Sequence, residues 1–156
     1  MFSGQVKIHQ LVSVPGPDLI FSASFQAHSN EGPFIGFSGT GIAQIGLRFF
    51  DEEGNRLGET VLVNHVKNPF ADTPLIGVPR FKDNTYQANF IEFSNDQLYQ
   101  NHRIDIRQQV ESKLLGVDPE SIRKVAVIIW CGATHRQAGT ELWITDITLQ
   151  AKHSLQ

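Results

Sequence analysis

The run Leu142-Trp143-Ile144-Thr145-Asp146-Ile147-Thr148-Leu149 alternates apolar and polar residues and carries one carboxylate. If the period of two holds, Asp146 shares a strand face with Leu142 and Ile144, where an ionised group needs a compensating partner. Three roles fit it: a strand-end carboxylate accepting backbone hydrogen bonds, a metal ligand, or an acid. Cys131 and His135, four apart, are the residue types of a nucleophile and its base, but a small buried hydrophobe beside a loop explains the cysteine, and no catalytic residue is assigned. His9, His28, His65, His102, His135 and His153 show no HxH or HExxH spacing that would support a zinc or iron site. There is no P-loop and no Gly-x-Ser-x-Gly elbow, and the glycines between Gly36 and Gly41 precede a strand rather than a helix, which does not suit a dinucleotide.

Sugar recognition asks for flat apolar surfaces against the C–H faces of a ring, flanked by polar groups that bind hydroxyls. Trp130, Trp143, Tyr86 and Tyr99 are the aromatic candidates. Gln44 and Arg48 lie on the more polar face of an earlier strand, and His135 and Arg136 lie in the loop that follows Trp130. Gln44, Arg48, Tyr86, Tyr99, Trp130, His135 and Arg136 are therefore the expected ligand-binding set, forming one concave face. The alternative for Trp130 is plain core packing at a strand end.

Positioning such a set falls to strands. Phenylalanine is abundant (11) and methionine rare (1), and most stretches read in periods of two separated by Gly, Pro, Asn and Asp. Strands are expected over Gln5 to Val14 and Leu19 to Gln26, joined as a hairpin by Pro15-Gly16-Pro17-Asp18. A second hairpin pairs Ile42 to Phe50 with Leu57 to Val63 across Asp51-Glu52-Glu53-Gly54-Asn55-Arg56. His28 to Gly41 reads as a loop and Asn64 to Gln87, with three prolines, as a long surface excursion. Further strands are expected over Ala88 to Ser94, Ile122 to Trp130 and Glu141 to Gln150. Ile106, Val110 and Leu114 mark one short helix, capped by Asp105 and followed by Gly116, and Asp118-Pro119 opens a single turn.

The chain has 156 residues, 40% hydrophobic and 19% charged, the size and composition of a single domain spanning 1–156. A formal charge of −3 with no basic block speaks against nucleic acid as partner. With one cysteine no intramolecular disulfide can form. No apolar run approaches the roughly 20 residues that span a bilayer, so no membrane partner is expected. The N-terminus shows no signal-peptide pattern, so the location is cytoplasmic by default or that of a module of a longer secreted protein.

Ala43 to Leu57 resembles the strand, turn and strand in the middle of carbohydrate-binding-module-like (galactose-binding-like) jelly rolls. Arg103 to Ile106, Val117 to Ile122, Val125 to Trp130, Gly132 to Gly139 and Leu142 to Leu149 resemble their ending: a strand into a short helix, a turn with a buried isoleucine, a β-branched strand, a glycine-containing loop and a final strand. The resemblance implies an all-β, jelly-roll β-sandwich of two antiparallel sheets with one short helix, binding a carbohydrate or polyol without catalysis. The opening strand motif that helps build the calcium site of such modules is absent near Met1 to His9, and a single Asp146 stands where two acidic residues are common. A surviving Ca²⁺ site would use Asp146 with Asn30 and Glu31. The resemblance also admits a cyclase-like enzyme, similar to calcium-dependent Stig cyclases, with Asp146 as the acid. A third reading is an intracellular interaction or assembly domain, including a homodimer formed across sheet edges.

Overall fold

The computed structural model describes residues 4–32, 39–64, 87–93, 98–133 and 139–152. Among these residues eight strands and one short helix follow in the order β1 (Gly4–Ser13), β2 (Leu19–Gly32), β3 (Gly39–Phe50), β4 (Arg56–Asn64), β5 (Gln87–Phe93), β6 (Gln100–Asp105), α1 (Ile106–Lys113), β7 (Lys124–Ala133) and β8 (Gly139–Ala151). A five-stranded sheet runs β5-β4-β3-β7-β1, and a three-stranded sheet runs β6-β2-β8. The two are joined where Glu31 and Gly32 of β2 pair with Thr40 and Gly39 of β3. This is the all-β chain that the alternation predicts, arranged in the sandwich that the resemblance implies.

The core lies between the sheets. Phe21, Ala23, Phe25 and Ala27 of β2 meet Ala43, Ile45, Leu47 and Phe49 of β3, each set being every second residue of its strand. Both sets are buried to 1% exposure or less, so the period of two here reports one face turned wholly inward. The β3–β4 hairpin forms as expected. Asp51 accepts the Asn55 backbone N–H at 2.7 Å and its side-chain amide at 2.9 Å, and Gly54 takes the left-handed φ of +90° that the turn needs.

Three expectations change. β1 and β2 do not form a hairpin: β1 pairs with β7, and β2 lies between β6 and β8. Their proline-rich connection carries the chain from one sheet to the other, so a turn signal between two strands does not make them neighbours. Most of the expected His28 to Gly41 loop is strand at its two ends, because β2 continues to Gly32 and β3 begins at Gly39. β5 pairs with β4 in parallel, so the larger sheet is mixed at one edge. The excursion expected over Asn64 to Gln87 lies almost wholly outside the described residues.

One end of the sandwich is closed by α1. Ile106, Val110 and Leu114, at the helical spacing read from sequence, are fully buried. Asp105 caps the helix by accepting the Gln108 N–H at 3.2 Å, and Asp118 accepts the Glu120 N–H at 3.0 Å ahead of the short turn Pro119–Ser121. Arg107 then ties α1 to its surroundings through a two-pronged contact with Asp18, at 2.6 and 3.0 Å, and a further bond to Glu120. Lys152, just beyond β8, bonds Asp105. Near the opposite end, buried Asn64 accepts from the Ala43 N–H and donates to Ser29 Oγ and the Gly41 carbonyl, and Ser29 Oγ in turn bonds Thr140 Oγ1. That network fastens β2, β3, β4 and β8 together. Gly41 is required beside it, because a Cβ at 41 would stand 2.2 Å from the Gly139 carbonyl oxygen.

Candidate functional site

Residues that alternate with the core set on the five-stranded sheet point away from the sandwich interior. Register fixes their neighbours: Gln44 of β3 lies between Val63 of β4 and Trp130 of β7, and Trp130 lies between Gln44 and Lys7 of β1. Two residues along, Gly46 sits between Val61 and Ile128, and two further, Arg48 sits between Glu59 and Ala126. One outward face thus carries an indole, an amide, a guanidinium and a carboxylate around an apolar floor.

The floor has little exposed surface. Val61, Ala126 and Ile128 are buried, and Gly46 adds no side chain between Gln44 and Arg48. A Cβ at 46 would find its nearest neighbours at 3.8 to 3.9 Å, ordinary contact distances, so packing does not force glycine there. Gly46 therefore leaves room for a Cβ between Gln44 and Arg48. Glu59, only 3% exposed, is held by Arg48, whose Nε donates to Glu59 Oε2 at 2.9 Å. A buried carboxylate is tolerable because it has that charged partner. Gln44 differs: its Nε2 is buried and has no hydrogen-bond partner among the described residues. A buried donor left unmade is a rarity in folded proteins and costs about 1 to 3 kcal/mol.

Of the seven expected ligand residues, the structure therefore gathers Gln44, Arg48 and Trp130. Tyr99 lies elsewhere, exposed immediately before β6 of the smaller sheet. Tyr86, His135 and Arg136 fall outside the described residues. Sequence reasoning missed Glu59, although its signal was present: Arg48 and Glu59 flank the hairpin turn, and counting outward from that turn pairs them. Trp143 is 64% exposed on the outer face of the smaller sheet, opposite Gln26, with its Nε1 donating to Glu141 Oε2 at 3.4 Å.

Asp146 is corrected by a β-bulge. Ser24 opposes Asp146 but the next residue of β2, Phe25, opposes Ile144, leaving Thr145 as the extra residue. Leu142 and Ile144 before the bulge and Ile147 and Leu149 after it pack on the core, while Asp146 is turned outward and exposed. It does not share the apolar face on which its expected chemistry rested. Nor does the structure bring it to Asn30 and Glu31: Asn30 opposes Gly139 and lies six positions along β2 from Ser24, roughly 20 Å of extended strand. These three residues do not fit a single Ca²⁺ site, and among the described residues no group of three His, Cys, Asp or Glu is placed to hold a metal.

Cys131 lies on the inward face of β7, opposite Ala43, where burial pushes its thiol up to about 11. A protonated, packed thiol is the hydrophobe that the sequence suggests, and not a nucleophile. No helix among the described residues is long and apolar enough to cross a membrane. No known family model matches the chain, and no curated protein matches it.

Proposed function

We propose that the protein binds carbohydrate without catalysis, through the outward face of β3, β4 and β7. The carrying observation is the buried, unpartnered Gln44 Nε2 next to Trp130, beside the buried Val61, Ala126 and Ile128. A sugar hydroxyl would accept from that amide, the indole offers an apolar flank to ring C–H groups, and the Arg48–Glu59 pair supplies a donor and an acceptor on the far side of Gly46. Sugars suit this combination because each ring carries polar rims and an apolar face.

Calorimetry and Trp fluorescence against a panel of oligosaccharides test the reading. Gln44→Ala is expected to weaken binding about tenfold, the worth of one hydrogen bond made in a dry setting. Gly46→Val is expected to put a side chain between Gln44 and Arg48 and abolish binding while leaving the circular dichroism spectrum unchanged. A glycan array with no binder, or affinities indifferent to both substitutions, would rule the proposal out.

A further inference from the structure

The two sheets have four outer edges among the described residues, and three carry features that discourage further pairing. β8 is bulged at Thr145 and bears Glu141 and Asp146. β6 has six residues and runs directly into α1. β5 has seven and bears Glu92. β1 is longer than β5 or β6, has no bulge and bears no acidic residue. It pairs with β7 through ten consecutive positions without a register shift, contains no proline and carries a single formal charge, Lys7. Every residue from Val6 to Leu11 is exposed, with Val6 at 65%, Ile8 at 58% and Leu11 at 52%. Val6 and Ile8 project on the inward side, where the narrower sheet leaves β1 uncovered, and Leu11 projects on the other. Bare apolar side chains on both faces flank an edge whose backbone groups on the side away from β7 meet no strand among the described residues.

We propose that a second copy of this chain pairs with β1, edge to edge and antiparallel, about a two-fold axis normal to the sheet. Edge backbone groups select a strand as occupant, and the side chains select this strand. With the axis at His9, Val6 opposes the partner's Val12, Ile8 the partner's Gln10, Gln5 the partner's Ser13, and Lys7 the partner's Leu11. Val6 meets Val12, Leu11 meets the aliphatic stem of Lys7, Ile8 meets the uncharged Gln10, and no two like formal charges oppose each other. The axis preserves faces, so the two five-stranded sheets become one of ten with both Trp130 faces on the same side. The pairing stands whether or not those faces bind sugar.

Sedimentation equilibrium over a concentration series of the full chain tests this. The wild type is expected to dimerise, and Ile8→Lys to raise the dissociation constant about tenfold or more, since it removes an apolar side chain from the seam and puts a charge in its place. Leu11 reads the register: Leu11→Lys opposes two cations twice and is expected to dissociate the dimer, whereas Leu11→Glu opposes the partner's Lys7 and is expected to keep it. These side chains are exposed, so the variants should keep the wild-type circular dichroism spectrum. A wild type monomeric at all concentrations overturns the proposal, as does a dimer indifferent to both lysine variants or one weakened equally by Leu11→Glu and Leu11→Lys.

Discussion

His102 shows how a single side chain couples the core to pH. Its ring stacks on Phe25 at 5.2 Å and meets Phe93 edge-on at 6.4 Å, and its Nε2 is 2.9 Å from Gln100 Oε1. Burial pulls its pKa below the ordinary 6.5. The unfolded chain therefore takes up a proton at a higher pH than the folded one, and stability falls as pH drops below about 6.5 toward the folded value. Melting temperatures between pH 7.5 and 5 should show that decline in the wild type, and a shallower one in His102→Phe. Arg48 and Glu59 make a second residue-scale case. Glu59→Ala leaves a guanidinium without its buried counter-ion and should cost about 3 kcal/mol by urea unfolding, more than the double replacement Arg48→Met with Glu59→Leu.

At the scale of elements, β8 and β3 show what local pattern fixes. In β8 the inward residues are Leu142, Ile144, Ile147 and Leu149, two apart except for the three-residue step across the bulge. That step is visible in the sequence, and reading the strand as unbroken alternation turned Asp146 inward. Deleting Thr145 removes the extra residue and restores strict alternation with every inward residue kept inward. Deleting Thr148 turns Leu149 outward instead. The first deletion should fold with a modest loss, including the Thr145 Oγ1 bond to the Ser24 carbonyl, and the second should show a far larger drop in melting temperature. Gly41 follows from another strand's backbone: Gly41→Ala must displace the Gly139 carbonyl and should lower the melting temperature, while Gly46→Ala should not.

The whole molecule is a sandwich of unequal sheets stoppered at one end by α1. Leu114 has no exposed surface, and Leu114→Ala should cost about 3 kcal/mol, the usual range for a buried leucine. Lys152 holds the Asp105 carboxyl below the usual carboxylate range and Arg107 does the same to Asp18. Both contributions are present above pH 3.8 and fade as pH falls through the lowered folded values, so acid should loosen the helix end of the sandwich first. Amide exchange at pH 3 compared with pH 6 would show this as faster loss of protection in α1 than in β3.

By itself the sequence determined all the strands but β6, though not the ends of β2 and β3, together with the β3–β4 hairpin and the helix with its cap. Each is written in residue types a few positions apart, where period, turn chemistry and capping act. Which strands are neighbours was a tertiary decision, because β1 joins β7 across more than a hundred residues and the energy that sets this is burial of a shared face. The candidate face follows the same division. Gln44 and Arg48 share a face by local alternation, whereas Trp130, Lys7 and Val61 come beside them only through register with other strands. Asp146 was separated from Asn30 and Glu31 by the same cause, since pairing fixes distance along a strand and no composition records it.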